Sequence, residues 1–305
     1  MTSVFKRVHH VLRGRAMWLA VACWVFTALL VVDLGATPHA VATSTLQRFG
    51  ALQREGAPGV VSHRGAAQLA PENTLAAVDA AIRAGADFVE IDLRYSRDGE
   101  AVVMHDPTVN RTTNGTGRVD RLTLEEIRAL DAGAWFAPEF AGERVPTFEE
   151  AVEVLDPAPA AVLVELKDEW SEARLAPLVA LLRERQMTHR VLLQSFNLDT
   201  MEALARVAPD FARMLLTREL GDEVVDRAIE LGVSAIGAKA ALYAAFPQAV
   251  EQIRARGLGA AVYTLNSPEE WQVALERGID FVITDDPAAF SAWRQHASDA
   301  LSAPQ

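Results

Sequence analysis

The chain has 305 residues, of which 50% are hydrophobic and 23% are charged. This composition supports one large α/β domain or two small ones and disfavours a disordered chain. The net charge of −12 excludes a general nucleic-acid binder, which needs a basic face. The single cysteine, Cys23, excludes a disulfide within the chain and a cysteine-based metal site.

The first 42 residues differ from the rest of the chain. Four basic residues precede an uncharged apolar run, Met17–Val32, and Asp33 follows the run directly. Such a run is at the short end for a membrane-spanning helix and at the long end for the core of a signal peptide. The basic residues on its N-terminal side orient the run with the N-terminus in the cytoplasm. They are Lys6, Arg7, Arg13 and Arg15.

We interpret residues 1–42 as an uncleaved, single-pass anchor in the cell membrane that places residues 43–305 outside the cytoplasm. The alternative is a signal peptide cut after the small-x-small site Ala40-Val41-Ala42, which would leave a secreted domain. A buried core helix is disfavoured, because the apolar run has no polar face.

Residues 43–57 are predicted to form a linker, and from there strand candidates alternate with helical patterns. Alternation of this kind predicts a parallel sheet with helices on its faces. The strand candidates are residues 59–62, 87–92, 102–104, 161–165, 191–194, 212–216, 233–237, 259–264 and 280–283. The helical patterns are Asn73–Arg83, Glu172–Arg185, Leu198–Val207, Asp222–Leu231, Phe246–Arg256 and Pro268–Arg277.

Nine strand candidates are one too many for an eight-stranded barrel. Only nine residues separate Asp92 from Val102, and they include the turn signal Arg97-Asp98-Gly99. Because a crossover between parallel strands needs a dozen or more residues, we predict that residues 102–104 return as a hairpin arm. The other eight strands predict a (β/α)8 TIM barrel over residues 58–292, followed by a C-terminal tail over residues 293–305.

The stretch from Tyr95 to Arg144 is then an insertion after the second strand. It is longer than ordinary loops and is therefore suspected of a function. It carries His105, and Thr123-Leu124-Glu125-Glu126 has the form of a capping box that begins a short helix.

Polar side chains follow several of the predicted strands. His63 and Arg64 come directly after the first strand, and His105 follows the hairpin arm. Glu90 and Asp92 are two residues apart, so on a strand they point to the same face. Because the C-terminal ends of barrel strands converge on one mouth, we expect these side chains to lie close together.

Glu165 and Lys167 repeat this spacing at the end of a later strand. With Glu90 and Asp92, Glu165 completes three carboxylates from neighbouring strands, a ligand set that suits one Ca²⁺ or Mg²⁺. Arg64 and Lys167 are the candidate phosphate contacts, the first by its forked donors and the second as a point charge.

His63 and His105 are candidates for a general acid–base pair, since imidazole titrates near neutrality. Each feature also has a structural interpretation. A single histidine at a strand end is more often a hydrogen-bonded structural residue, and a Glu–Lys pair is usually a salt bridge. The later Thr284-Asp285-Asp286-Pro287 either begins a helix or belongs to the site. The joint occurrence of these residues at strand ends favours a catalytic site.

The combination of motifs resembles the glycerophosphodiester phosphodiesterase family from about residue 58 to 290. The matching stretches are SHRGAAQLAPENTLAAVDAAIRAGADFVEIDL, VVMHDPTVNRTTNGTG, DAGAWF, GERVPTFEEA, VLVELK, LLQSFN and YTLNSPEEW followed by GIDFVITDDP. The resemblance implies a (β/α)8 barrel and assigns roles to seven residues. These are His63 and His105 in acid–base catalysis, Arg64 and Lys167 in phosphate binding, and Glu90, Asp92 and Glu165 as metal ligands.

The resemblance implies metal-dependent hydrolysis of small glycerophosphodiesters to glycerol 3-phosphate and an alcohol. One alternative is a phospholipase D-like activity on lysophospholipids or sphingomyelin with the same residues. Another is a catalytically idle, membrane-tethered binding domain, which is disfavoured because all seven expected residues are present. Tyr263 stands where family members often have Trp, and Asp286 replaces a bulkier residue, so both bear on substrate preference.

Overall fold

The computed structural model describes residues 52–302. The predicted anchor or signal segment, residues 1–42, lies outside the described residues. None of the helices between residues 52 and 302 is both long enough and apolar enough to cross a membrane.

Eight parallel strands form a closed barrel. Each pairs with its neighbours along the chain, and the first strand also pairs with the last, so the sheet has no parallel edge left open. This is the predicted (β/α)8 arrangement. Strands are numbered in chain order, and β3 (Ala101–Val103) is the antiparallel strand described below. The parallel strands are β1 (Gly59–Ser62), β2 (Phe88–Tyr95), β4 (Ala161–Leu166), β5 (Val191–Ser195), β6 (Ala212–Leu216), β7 (Ala235–Lys239), β8 (Gly259–Tyr263) and β9 (Phe281–Thr284).

Helices cover the outside of the barrel, except for α2 (Leu124–Arg128), which packs in the insertion, and most of them follow the predicted patterns. They are α1 (Leu75–Arg83), α2 (Leu124–Arg128), α3 (Phe148–Leu155), α4 (Glu172–Glu184), α5 (Leu198–Val207), α6 (Asp222–Glu230), α7 (Ala240–Ala245), α8 (Ala249–Ala255), α9 (Pro268–Glu276) and α10 (Pro287–Ser302). The sequence patterns did not predict α3 and α7, and they left α10 open as one of two interpretations of Thr284-Asp285-Asp286-Pro287. The predicted tail boundary at residue 292 falls inside α10, where Trp293 packs on Phe290.

Alternation along the strands directs side chains either to the helices or into the barrel. In β2, Val89 and Ile91 pack in the core shared with the helices, whereas Phe88 packs inside the barrel. The same alternation sends Glu90 and Asp92 inward. The strand period of two therefore decides which carboxylates reach the barrel mouth.

The predicted hairpin arm is β3 (Ala101–Val103), and it pairs antiparallel with the end of β2. This confirms the chain-length argument that excluded it from the parallel barrel. The insertion that begins with this arm has an apolar core of its own, separate from the barrel cores. That core consists of Val102, Met104, Val109, Val119, Ile127, Ala132 and Val145.

The base of the barrel is closed by the end of the predicted linker. Leu52 is buried among the side chains inside the barrel, and its backbone N–H donates to the Ser234 carbonyl. A Cβ on Gly259 would lie 2.2 Å from the Leu52 carbonyl oxygen, so glycine is required for this close approach. Residues 52–58 are thus part of the folded barrel, and its mouth lies at the opposite end.

Candidate active site

Three carboxylates lie together at the mouth of the barrel. Glu90 and Asp92 come from β2 and Glu165 from the neighbouring β4, and one oxygen of each lies within 4.8 Å of the others. Their exposed fractions are 1%, 1% and 7%. The structure therefore brings together the three residues predicted as metal ligands.

The charges in this cluster are only partly balanced. Burial, with the nearby carboxylates of Asp92 and Glu165, raises the pKa of Glu90. Burial also raises the pKa of Glu165. Burial would raise the pKa of Asp92 too, but Lys167 and Arg64 outweigh it and lower that pKa. The two cations thus hold Asp92 ionised. They do not balance all three carboxylates, so a further positive charge would stabilise the ionised cluster.

The oxygen atoms of the cluster fit a hard divalent cation. Glu90 Oε1 has no hydrogen-bond partner in the described part of the chain. Asp92 Oδ1 has none either, although it lies 2.9 Å from Lys167 Nζ in an ion pair. Buried carboxylate oxygens without donors are costly unless a cation meets them, and Ca²⁺ and Mg²⁺ prefer such oxygen ligands.

The two predicted phosphate contacts lie on either side of the carboxylates. Lys167 Nζ donates to Glu165 Oε1 at 2.5 Å, and the Arg64 guanidinium donates to Glu72 Oε1 at 2.7 Å. Arg64 Nε also lies 3.5 Å from Asp92 Oδ2. Both cations are therefore held in place by carboxylates while they line the cavity described below.

The loop after β1 is shaped to fit beneath the site. Arg64 and Asn73 adopt left-handed backbone conformations with φ of 53° and 58°, which are uncommon for residues other than glycine. The Arg64 N–H donates to Glu90 Oε2, and Asn73 Nδ2 donates to Asp92 Oδ2 at 2.8 Å. Gly65 is required here, because a Cβ would lie 2.5 Å from the backbone of Ala77.

His63 pairs with Asp285, which follows β9. Its Nδ1 lies 2.6 Å from Asp285 Oδ1, and Asn266 Nδ2 donates to the other oxygen of that carboxylate. The His63 and Asn266 contacts outweigh burial and lower the pKa of Asp285. Both interpretations of this turn apply, because the neighbouring Asp286 accepts from Ala289 N and begins α10.

His105 pairs with the next residue, Asp106, through Nδ1 at 2.8 Å. Arg111 donates to Asp106 Oδ2 at 2.7 Å and to both oxygens of Glu72. The Arg111 and His105 contacts lower the pKa of Asp106 to about 2. Burial lowers the pKa of His105, which favours its neutral form. Arg111 thus ties the insertion to the loop that carries Arg64.

A cavity of about 610 Å³ opens over these groups. Six of the seven predicted site residues line it, and Asp92 lies buried beneath them. The sequence interpretation missed Glu72, Asn73, Asp106 and Arg111 as parts of the site. The signal for them was present, since the first two belong to PENT in the first matching stretch and the last two belong to VVMHDPTVNRTTNGTG.

This geometry agrees with the comparison to known families. The model of the glycerophosphoryl diester phosphodiesterase family matches residues 63–289. The chain belongs to this family. It is therefore a phosphoric diester hydrolase, and the matched residues contain all the site groups described above.

Curated relatives match the phosphodiesterase over most of its length. A glycerophosphodiester phosphodiesterase of Caldanaerobacter subterraneus subsp. tengcongensis is 36% identical over 233 residues, which cover 75% of this chain and 94% of that protein. A glycerophosphodiester phosphodiesterase of Bacillus subtilis is 31% identical over 280 residues, covering 86% of this chain and 95% of the relative.

Solved structures show the same barrel. The glycerophosphodiester phosphodiesterase of Agrobacterium tumefaciens has a TM-score of 0.67 at 34% identity, and the match covers 77% of this chain and 99% of the other. A phosphodiesterase of Oleispira antarctica in complex with the product sn-glycerol-3-phosphate has a TM-score of 0.72 at 28% identity, covering 83% and 99%.

Proposed function

We propose that the protein hydrolyses glycerophosphodiesters to glycerol 3-phosphate and an alcohol, with one divalent cation, Ca²⁺ or Mg²⁺, at Glu90, Asp92 and Glu165. The observation that carries this proposal is that one cavity opens over both the carboxylate cluster and the two histidine–aspartate pairs. The product bound to the Oleispira antarctica relative supports the choice of glycerol 3-phosphate.

Arg64 and Lys167 bind the phosphate of the substrate in this proposal. Both line the cavity, and both are fixed by carboxylates, so little side-chain freedom is lost on binding. When bound, a divalent cation supplies Lewis-acid polarisation of the phosphoryl oxygens. The guanidinium and ammonium groups then spread the remaining negative charge of the transition state.

His63 and His105 transfer the protons. The carboxylate at each Nδ1 leaves Nε2 as the nitrogen that can exchange a proton with a substrate. One histidine removes the proton from the attacking glycerol 2-hydroxyl, and the other donates a proton to the leaving alcohol as its bond to phosphorus breaks. One water then opens the resulting cyclic phosphate, which gives glycerol 3-phosphate. Because Asp285 and Asp106 are ionised near neutral pH, each stabilises its imidazole while that ring carries the extra proton.

The test is an assay of the full-length protein on glycerophosphoethanolamine, with glycerol 3-phosphate as the measured product. EDTA should abolish turnover, and added Ca²⁺ or Mg²⁺ should restore it. His63→Ala and His105→Ala should each lower kcat by about 10²–10⁴-fold, with the melting temperature nearly unchanged. Full activity in EDTA would contradict the metal site, and full activity of either variant would contradict the histidine pair.

We further propose that the phosphodiesterase is anchored in the cell membrane by residues 1–42, with the remainder outside the cytoplasm. The supporting features are the basic residues ahead of Met17–Val32 and Asp33 behind it. A reporter that is active only outside the cytoplasm, fused at Gln305, should give signal, whereas a cytoplasmic reporter should not. Recovery of soluble protein that begins at Thr43 would instead show a cleaved signal peptide.

A further inference from the structure

The cavity spans two unlike halves of the barrel mouth. The strands β1, β2 and β4, with the insertion, supply the carboxylates and histidines described above. The strands β5 to β8 supply the opposite wall, which is formed by Gln194, Phe196, Leu216, Thr217, Arg218, Lys239, Ala241, Leu242, Tyr263 and Thr264. The wall contains no carboxylate, so its charged groups are all cations.

Arg218 and Lys239 are these cations. Both side chains are exposed, and neither forms an ion pair with any residue between 52 and 297. Glu219 follows Arg218 in sequence, but it does not line the cavity. The chain as a whole has a net charge of −12. On this wall of the cavity, however, two cations without ion-pair partners create a local site for negative charge.

Arg218 is positioned by the aromatic residues beside it. Its guanidinium carbon lies 4.2 Å from the centre of the Phe196 ring. The Phe196 and Tyr263 rings pack edge to face, with their centres 6.1 Å apart. The Tyr263 hydroxyl in turn donates to the Thr217 carbonyl. The Phe196 face that could bind a quaternary ammonium group by cation–π attraction is therefore already covered by an arginine.

Gln194 connects the two halves. It is 1% exposed, and its Oε1 has no hydrogen-bond partner among the described residues. Its backbone is in register with Glu165 of the neighbouring strand. Gln194 can accept a hydrogen bond from a substrate hydroxyl that lies between the phosphate and the opposite wall.

We infer that the wall formed by β5 to β8 binds the variable alcohol of the diester, and that Arg218 and Lys239 select alcohols that carry an anionic group. The inference rests on the proposed function, because it assigns a preference among glycerophosphodiesters. It disfavours choline, whose fixed positive charge would meet two cations and a covered aromatic ring.

Two diesters that differ in one group test this selectivity. Glycerophosphoserine is glycerophosphoethanolamine with an added carboxylate, so the ratio of their kcat/KM values reports the contribution of that charge. The wild-type ratio should favour glycerophosphoserine by about tenfold, the size expected from two partly exposed charge-assisted contacts. It should fall with rising salt, since exposed charges are screened.

Arg218→Gln and Lys239→Gln should each lower this ratio by about threefold, and the double variant should abolish it. Arg218→Gln should also increase kcat/KM for glycerophosphocholine, because it uncovers the Phe196 ring. Arg183→Gln is the matched control. Arg183 lies over the Phe211 ring at the base of the barrel, so this substitution removes the same charge and a similar ring contact far from the cavity. It should leave the ratio unchanged.

The outcomes separate this inference from the proposed function. Equal kcat/KM for the two diesters in the wild-type enzyme would overturn the selectivity while leaving the phosphodiesterase activity intact. An equal loss on both diesters in the Arg218 and Lys239 variants would also overturn it, since these residues would then bind the shared glycerophosphate. If the enzyme hydrolysed neither diester, the proposed function and this inference would fail together.

Discussion

A carboxylate at Nδ1 orients each of the two proposed catalytic histidines. For His63 the partner is Asp285, which also accepts from Asn266 and so cannot turn away from the ring. The carboxylate selects the tautomer in which Nε2 can accept a proton, and it stabilises the imidazolium that follows. We therefore treat Asp285 as a positioning residue that acts through His63.

Asp285→Asn should lower kcat by roughly 10- to 100-fold with little change in KM, because the amide stabilises the charged ring poorly. Asp286→Asn is the matched control. Asp286 begins α10, and asparagine serves equally well at that position, so kcat and the melting temperature should stay near those of the wild-type enzyme. Steady-state kinetics on glycerophosphoethanolamine and a thermal melt measure both variants, and an unchanged kcat for Asp285→Asn would contradict the positioning role.

The carboxylate cluster destabilises the metal-free protein, because Glu90 is buried beside two other acids. Glu90→Gln should therefore raise the melting temperature in EDTA, by about 2–4 °C for each kcal/mol gained. It should also remove the stabilisation by added Ca²⁺ or Mg²⁺, which follows mass action, and lower kcat by at least about 10²-fold. Differential scanning calorimetry with and without the cation measures these shifts.

The control for this variant is Glu143→Gln. Glu143 lies in the insertion beside Asp131, and burial raises its pKa, but it does not line the cavity. Its replacement should leave the shift caused by the cation at the wild-type value. A cation-dependent shift of wild-type size in Glu90→Gln would show that Glu90 is not a ligand.

The sequence predicted some of these residues better than others. Glu90, Asp92 and Glu165 were predictable, because strand periodicity and adjacent strands determine their common face. The partnership of His63 with Asp285 was not, since the two are 222 positions apart and only barrel closure brings them together. For that reason the sequence left Asp285 equally open to a role in a helix-starting turn.

Among the elements, the insertion carries one of the two proposed catalytic histidines, His105. Its own apolar core makes it a separate packing unit, and Arg111 joins it to the β1–α1 loop through Glu72. The same guanidinium holds Asp106, the partner of His105. Arg111 therefore couples the position of the insertion to the orientation of a proposed catalytic histidine.

Arg111→Gln should lower kcat about tenfold or more while KM changes little, because His105 loses its fixed partner but the phosphate contacts remain. Arg118→Gln is the control in the same insertion. Arg118 is an exposed arginine whose hydrogen bonds go to Asp120, so its loss should change neither constant. A rise in KM alone for Arg111→Gln would contradict the positioning role and indicate a direct contact with substrate.

Chain geometry predicted the hairpin arm, whereas two helices were missed for different reasons. The hairpin arm β3 followed from the short connection after Asp92, which no parallel crossover could span. Helix α3 was missed although Thr147 and Glu150 form a capping box. Helix α7 has no such signal, since its first flanking residue, Lys239, provides no side-chain cap.

At the scale of the whole molecule, the barrel depends on a segment that the sequence presented as a linker. Leu52 is 4% exposed and packs inside the barrel. The sequence Gly50-Ala51-Leu52-Gln53 gives neither a strand nor a helix periodicity, so the burial of Leu52 could not be predicted. The base of the barrel is therefore stabilised from outside the predicted domain boundary at residue 58.

Leu52→Ala should lower the free energy of unfolding by about 2–4 kcal/mol, because it removes buried contacts and leaves a void at the barrel base. The kcat/KM of the folded enzyme should not change, since the cavity lies at the other end. Leu198→Ala, at a leucine that is 44% exposed, should cost well under 1 kcal/mol. Urea denaturation measures both variants, and equal losses would show that Leu52 contributes nothing particular to the base.

Closure of the barrel also sets the order in which the enzyme can become active. His63 lies near the beginning of the fold, and its partner Asp285 follows the last strand, β9, which pairs with β1. A nascent chain therefore carries every proposed metal ligand by Glu165, long before it can form the His63–Asp285 pair. In the proposed mechanism, full activity therefore requires the final strand, so a chain that ends before β9 should lack normal turnover although it contains all three proposed ligands.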